Sequence, residues 1–388
     1  MNRYFHSFHL RGALLILFLF ICTSCTTSVK PYTSAENVQQ TSRTDVRLWA
    51  LADEFDEEVR HTDSLYSDAD LQNYLQNILD RLYPDFKGRI RIQVLRSPAL
   101  NAFALPNGSL YINNSLLARC DNEAQVATIL GHEAAHFVDR HSLRQTEQIQ
   151  NNTAFANVLT IAGVPLAGPL LAVSSTLGYS KELESKADRI AYERMLHAGY
   201  DTRESVKIFE KMAAETKNMG IEEPYFFSTH PRMVERVASL NAMLKVMPSA
   251  DGEVNSEVFL QNTTEVRIVS LEEDISMNRY KSVILLLEKA DMSSSGYPEY
   301  CKYYLGEAYR QRSDDGDEER AFLAYREAII TAPEFAPPYR ALGLYYLKQK
   351  DFENARQFFG AYLQRDPDAI DKEYIRYYIE TIEKGEGS

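Results

Sequence analysis

Two histidines separated by three residues carry the most recognisable chemistry in the sequence. They belong to the segment His132-Glu133-Ala134-Ala135-His136. On a helix, residues four apart lie on one face, so both imidazoles can reach a single metal ion. Zinc accepts nitrogen ligands in this arrangement, and Glu133 would lie beside the open coordination position, where it can take a proton from a zinc-activated water. The pattern therefore predicts one zinc ion per chain with Glu133 as the catalytic base, and the alternative is a helix whose two histidines only make hydrogen bonds.

A third ligand has to come from another part of the chain. Glu184 and Asp188 are four residues apart in a helical pattern, which places both carboxylates on one face. Glu184 can bind the metal while Asp188 holds a ligand histidine by its second ring nitrogen and fixes its tautomer. Glu182 competes for the ligand role but lies on another face of that helix. A solvated charged face is the alternative interpretation of this pair.

The elements before the histidine motif predict how it is positioned. Residues 122–144 form a long helical pattern with Asp121 or Asn122 as the N-cap. Residues 102–105 and 109–112 are short strand-like runs around a Pro-Asn-Gly turn, which predicts a β-hairpin. As an edge strand, this hairpin could pair with the backbone of an extended peptide.

The N-terminus has the features of an export signal. Residues 1–24 combine Arg3 and Arg11 with a short apolar core, and they end in small residues directly before Cys25. This resembles a bacterial lipobox, so we expect cleavage before Cys25 and lipid attachment to its sulfur, with ordinary signal cleavage or an uncleaved anchor as the alternatives. The polar residues 25–44 then predict a flexible tether.

Composition sets the broad class of protein. The 388 residues are 45% hydrophobic and 25% charged, which is typical of folded globular domains, and this length favours two or more of them. The net charge of −13 excludes a general attraction for nucleic acid. Residues 148–180 contain no charged side chain; we expect two short helices or a lid over 154–179, with a membrane hairpin as the alternative.

An internal repeat follows a polar segment at residues 247–262. The pair Leu305-Gly306 recurs as Leu342-Gly343, and the aromatic and alanine positions after each pair recur with it. The spacing resembles that of tetratricopeptide repeats, which stack helical hairpins. We therefore predict a metallopeptidase domain at 45–247 and a repeat domain at 263–388, with unrelated amphipathic helices as the alternative for the second.

The order of motifs resembles the HtpX/BepA family of zinc metallopeptidases over residues 45–245. The residues that carry this resemblance are Asn101-Ala102-Phe103-Ala104-Leu105-Pro106-Asn107-Gly108, the His-Glu-x-x-His motif, the Glu-x-x-x-Asp motif and Thr229-His230-Pro231. The resemblance implies zinc bound by His132, His136 and Glu184, with Glu133 as catalytic base. It also implies that His230 lies near the metal, either as a fourth ligand in a resting state or as a stabiliser of the oxyanion. The plainer interpretation of His230 is a histidine at the start of a helix.

These features predict a mainly α protein with a zincin-like catalytic domain, a small hairpin or sheet, and helical repeats. The expected function is a zinc endopeptidase of the bacterial cell envelope, lipid-anchored at the periplasmic face of the outer membrane. Its substrates would be unfolded or misassembled proteins, held by residues 101–104, and its repeats would contact the envelope assembly machinery. Two rivals remain at this stage: a repeat-based chaperone lipoprotein with a gated or vestigial metal site, and an integral-membrane protease using residues 154–179.

Overall fold

The computed structural model describes most of the chain. The described residues are 29–150, 179–219, 233–247, 251–288 and 298–385. The predicted export signal with Cys25, nearly all of the uncharged segment 154–179, and Thr229-His230-Pro231 lie outside them.

Helices dominate the described residues, as the sequence predicts, and their ends follow local signals. In the N-terminal part they are α1 (Arg43–Arg60), α2 (Ala69–Leu82), α3 (Asn114–Arg119), α4 (Glu123–Val138), α5 (His141–Gln150), α6 (Lys181–His197), α7 (Arg203–Met219) and α8 (Met233–Val246). In the C-terminal part they are α9 (Ser256–Ser276), α10 (Tyr280–Glu288), α11 (Pro298–Arg312), α12 (Asp317–Thr331), α13 (Pro337–Lys348), α14 (Phe352–Arg365) and α15 (Lys372–Glu383).

A small sheet contains the predicted hairpin. Its strands are β1 (Arg91–Leu95), β2 (Ala102–Ala104) and β3 (Ser109–Asn113), in the order β1-β3-β2. β2 and β3 are antiparallel, which confirms the hairpin, and β1 joins β3 in parallel. Gly108 in the turn has φ +90°, and a Cβ there would lie 2.3 Å from the carbonyl oxygen of Arg89, so the turn requires glycine. β2 is left at the edge of this sheet.

Helix α4 is the centre of the N-terminal part. It begins at Asn122, whose side chain accepts a hydrogen bond from the backbone N–H of Gln125, so the N-cap is one of the two residues expected. Every residue from Glu123 to Val138 is buried, because α4 packs against α2, α6, α7 and β2. A helix surrounded in this way presents its histidines to neighbouring elements rather than to solvent.

The segment at 29–42 departs from the prediction of a flexible tether. Tyr32 is buried, its backbone N–H donates to the carbonyl oxygen of Val138 at 2.9 Å, and its ring packs on Phe137. Val38 is also buried in the main core. Polar composition predicted a solvated chain, but two apolar side chains are enough to anchor it. Tyr32 therefore packs on the end of α4, and Val38 fixes the segment in the main core.

The segment at 247–262 does not separate two independent cores. Helix α9 begins inside it at Ser256 and runs to Ser276, with Phe259 and Val266 in the N-terminal core and Ile268 and Leu271 in the core of the following helices. One continuous helix therefore contributes to both cores, which the polar composition of its first turns did not indicate.

The C-terminal helices pack as consecutive pairs, α11 with α12 and α13 with α14. The repeated pairs of residues make the same contact in each unit. Gly306 lies against the ring of Tyr325, and Gly343 lies against the ring of Phe359, so that an added Cβ would come within 2.5 Å of either ring. Glycine thus permits the two helices of each pair to approach closely at the same position.

Candidate metal centre

Two helices bring three potential ligands together. α4 contributes His132 and His136, and α6 packs against it and contributes Glu184. The Nε2 atoms of the two histidines are 3.0 Å apart. The Glu184 carboxylate oxygens lie 3.4 Å from Nε2 of His132 and 3.5 Å from Nε2 of His136. All three side chains are buried.

These separations fit a tetrahedral ion. Ligand atoms about 2.0–2.1 Å from zinc are about 3.3–3.4 Å apart in a tetrahedral site. The three observed separations bracket that value. Two imidazoles and one carboxylate leave a fourth position, which is the donor set of a catalytic rather than a structural zinc site. The residues therefore fit the metal that the sequence predicts.

Asp188 contacts His132 at the ring nitrogen that is not the predicted ligand atom. Its Oδ1 lies 2.9 Å from Nδ1 of His132, so an Nδ1–H donor leaves Nε2 of that ring available to a metal. This is the arrangement expected from the spacing of Glu184 and Asp188. Burial disfavours the charged form of Asp188, but the charge of Arg236 and the hydrogen bond of His132 lower its pKa.

Arg236 is a site residue that the sequence did not reveal. It lies in α8, is buried, and donates from Nε and Nη2 to both oxygens of Asp188 at 2.9 and 2.6 Å. Its Nη1 lies 3.4 Å from Oε2 of Glu184. The Arg236 guanidinium thus orients Glu184, a predicted ligand, and Asp188, the carboxylate that contacts the predicted ligand His132. In the sequence, Arg236 is distinguished only by its position soon after the Thr-His-Pro segment. Arginine is common on helices, so this position did not predict a contact with the site.

The electrostatics favour a cation at this site. Burial and Arg236 oppose protonation of His132, but hydrogen bonds to Asp188 and Glu184 and the Glu184 charge outweigh them and raise its pKa to about 9. Two buried carboxylates therefore attract positive charge to the position between the histidines. A metal ion would compete there with a proton.

The second histidine has a different support. Nδ1 of His136 lies 2.9 Å from Nδ1 of His141, and Nε2 of His141 lies 2.7 Å from Asp139. The ring of Tyr179 stacks on His136 with centroids 4.0 Å apart. Burial lowers the pKa of His141, although its contact with Asp139 acts in the opposite direction. His141 is therefore held neutral beside a potential ligand.

Glu133 is buried next to His132 on α4. Glu133 follows His132 by one residue and precedes His136 by three. Its carboxylate therefore projects from the side of the helix next to the face that carries the two histidines. A carboxylate there can act as a proton acceptor for a water held between it and the metal position.

The predicted peptide-binding residues lie beside this helix. β2, which contains Ala102, Phe103 and Ala104, packs against α4 and is the edge of the sheet. The carbonyl of Asn101 accepts the N–H of Asn113 and extends the hairpin by one pair. The strand's edge is thus adjacent to the motif helix, while the Phe103 side chain is buried.

No helix within the described ranges is sufficiently long and apolar to cross a bilayer. His230, which is predicted to lie near the metal, falls between α7 and α8 in the sequence and lies outside the described residues.

A helix carrying His-x-x-x-His, opposed by a glutamate from a second helix, defines a candidate metallopeptidase centre. Residues 67–244 match the family model described as Peptidase family M48. The match covers the predicted catalytic region and agrees with the family resemblance that the sequence motifs indicate.

Curated relatives match less than half of the chain or about half of it. The mitochondrial metalloendopeptidase OMA1 of Saccharomyces cerevisiae is 32% identical over 160 residues, covering 39% of this chain and 46% of the relative. The beta-barrel assembly-enhancing protease of Escherichia coli K12 is 25% identical over 205 residues, covering 48% and 42%. A putative protease of the same description from Vibrio cholerae is 25% identical over 207 residues, covering 49% and 42%. The chain spans less than half the length of each of these relatives.

Proposed function

We propose that this chain is a zinc-dependent endopeptidase. The observation that carries the proposal is the convergence of His132, His136 and Glu184 at separations of 3.0, 3.4 and 3.5 Å, with Glu133 buried on the same helix. The match to a peptidase family model and the similarity to two kinds of named protease support the same conclusion.

Each of the chain's own residues has a distinct task in this proposal. Glu133 accepts a proton from the attacking water and later delivers it to the leaving amine. Asp188, held by Arg236, keeps His132 in the tautomer that presents Nε2 to the metal. Zinc, when bound, supplies a Lewis acid that activates water and polarises the scissile carbonyl. The edge of β2 aligns the substrate backbone as an added strand, which selects extended chains rather than a particular sequence.

Extended-chain recognition favours unfolded or misassembled proteins as substrates. We place this activity in quality control at the bacterial cell envelope, with the chain anchored by lipid on Cys25 at the periplasmic face of the outer membrane. The lipobox-like N-terminus and the similarity to beta-barrel assembly-enhancing proteases support this assignment. In this proposal the C-terminal helices bind components of the envelope assembly machinery as tetratricopeptide-like repeats.

The test combines metal analysis with proteolysis on the chain from residue 25 onward. The parent should contain about one zinc per chain and cleave casein. Glu133→Gln should retain zinc and lose cleavage, because an amide cannot accept the proton. Cleavage by Glu133→Gln at the parent rate would contradict the mechanism, and a parent without zinc would contradict the metal site.

A matched pair of variants on α6 distinguishes ligand loss from general damage. Glu184→Gln removes a buried ligand and should lower the zinc content, whereas Glu182→Gln changes an exposed side chain two residues away and should not. Equal zinc contents in the two variants would remove Glu184 from the ligand set. If the parent holds zinc, cleaves nothing and prevents the aggregation of unfolded proteins, the chaperone alternative would replace the protease.

A further inference from the structure

The turn after α4 places a third histidine against the metal centre. His141 is the first residue of α5 and is completely buried, with its ring 4.8 Å from that of His136. Arg140 lies between the two helices with φ +57°, a left-handed conformation that reverses the chain and directs His141 back toward α4. This backbone conformation is unfavourable for arginine, so contacts elsewhere in the structure must stabilise it.

The N-terminal segment supplies that support. The Arg140 guanidinium donates to the side chains of Asp45 and Thr41, and it lies 4.7 Å above the ring of Tyr32. These residues precede α1 or lie in its first turn, far from the motif in sequence. The segment at 29–45 therefore stabilises the turn that positions His141.

The proton positions follow from the ligand role of His136. A ligand nitrogen carries no proton, so a neutral His136 that binds through Nε2 must carry its proton on Nδ1. Nδ1 of His141 lies 2.9 Å from that atom, within hydrogen-bonding distance. It must then act as acceptor, so the proton of His141 lies on Nε2 and is donated to Asp139 at 2.7 Å.

Asp139 is fixed in turn by two cations. Lys186 of α6 donates to Oδ1 at 2.7 Å, and Nε of Arg144 lies 3.6 Å from Oδ2. The carboxylate is buried, and hydrogen bonds from His141 and Lys186 outweigh burial and lower its pKa. Asp139 therefore stays ionised and is held in position to accept the Nε2 proton of His141.

We propose that His141 is a positioning residue for the metal, acting through His136 by accepting its Nδ1 proton, with Asp139 fixing the tautomer of His141. His141 thus has the same role toward His136 that Asp188 has toward His132. His141 is not itself a ligand, because its Nδ1 faces His136 and its Nε2 faces Asp139. The inference rests on the metal binding in the proposed function.

Two substitutions separate hydrogen bonding from packing. His141→Phe keeps a ring of similar size and removes the acceptor, whereas His141→Asn loses the ring and retains an oxygen near the position of Nδ1. The readout is the zinc dissociation constant of the full chain, measured by competition with a chromogenic chelator. Loss of such a contact weakens metal binding by roughly 10–100-fold. We expect this loss in His141→Phe and a smaller one in His141→Asn.

The order of the two variants decides the question. A dissociation constant in His141→Phe within about twofold of the parent, with a larger loss in His141→Asn, would show a packing role only and overturn the proposal. A parent chain that binds no zinc would instead refute the proposed function. The two failures are therefore distinguishable.

A measurement on the unmodified chain covers the case in which a variant does not fold. Two-bond ¹H–¹⁵N correlation spectra of the zinc-loaded protein with ¹⁵N-labelled histidine report the tautomer of each ring. The expected result is His136 protonated at Nδ1 and His141 neutral and protonated at Nε2. A His141 ring that is protonated at Nδ1, or on both nitrogens, cannot accept from His136 and would overturn the proposal.

Discussion

Arg119 offers the strongest test of how the two parts of the chain are joined. It ends α3, is 1% exposed, and reaches across to α7 and α9. Its guanidinium lies 2.7 Å from Asp274 and 3.1 Å from Glu215. It also donates to Ser270 and Ser282, so a single side chain links four helices. We expect Arg119→Met to leave two buried carboxylates without their main cation.

The size of the effect follows from the partners that remain. Removing one member of a buried ion pair costs about 3–5 kcal/mol. Glu215 still accepts from Ser282 at 2.7 Å, and Asp274 still lies 3.6 Å from Arg279. The expected loss at pH 7 is therefore near the lower limit, about 3 kcal/mol.

The pH dependence gives a second, independent prediction. The Arg119 charge and the hydrogen bond from Ser282 outweigh burial and lower the pKa of Glu215, so the parent gains stability from this group above the unfolded-state pKa and loses it as pH falls. In Arg119→Met the Glu215 carboxylate can protonate at higher pH, which removes its uncompensated charge. The difference in stability between parent and variant should therefore shrink below about pH 4–5.

Urea unfolding of the metal-free chain, followed by circular dichroism, measures both effects. Arg376→Met is the matched control, because Arg376 is exposed and paired only with Glu373 one turn away among the described contacts. It should change the unfolding free energy by no more than about 0.5 kcal/mol. A loss below about 1 kcal/mol in Arg119→Met, or a loss that is the same at pH 7 and pH 4, would refute this account of the network.

Three further predictions concern the packing of the C-terminal helices, the lipid anchor at Cys25 and the role of His230. Gly343→Ala should destabilise the chain by about 1–3 kcal/mol, since its Cβ would lie 2.5 Å from a buried phenylalanine ring. Gly360→Ala, whose Cβ would meet nothing within 4 Å, should stabilise it by up to about 1 kcal/mol; urea unfolding that shows the same sign for both would contradict this packing. Cys25→Ser should move the protein from the membrane to the soluble fraction, and retention in membranes would point to another anchor. His230→Ala should raise basal proteolysis with zinc retained if it is a fourth ligand, or lower the rate by roughly a hundredfold or more if it stabilises the oxyanion; unchanged activity with a lower melting temperature would leave only a structural role.

Local patterns were sufficient to predict the elements that carry the site. The spacing of His132 and His136 indicated one helix with both rings on one face, and Asn122 was a suitable cap for it. The Pro-Asn-Gly turn predicted the hairpin, which has the expected pairing. The spacing of Glu184 and Asp188 predicted a shared face, and both carboxylates reach the same histidine.

Long-range contacts were not accessible in the same way. Arg236 contacts Asp188 from 48 residues away, and nothing in its neighbours distinguishes it from a surface arginine. The parallel pairing of β1 with β3 depends on the intervening chain rather than on either strand's pattern. Tyr32 and Val38 lie in a polar segment, so composition predicted a tether where burial of these two side chains orders the chain.

The central claim is that one zinc ion lies between α4 and α6. Anomalous diffraction from crystals of the full chain, recorded on both sides of the zinc absorption edge, locates that ion directly. The account predicts one strong peak about 2.0–2.1 Å from Nε2 of His132 and of His136 and within bonding distance of Glu184. An anomalous peak only elsewhere, or none at these three residues in a zinc-loaded crystal, would contradict the assignment of the catalytic centre.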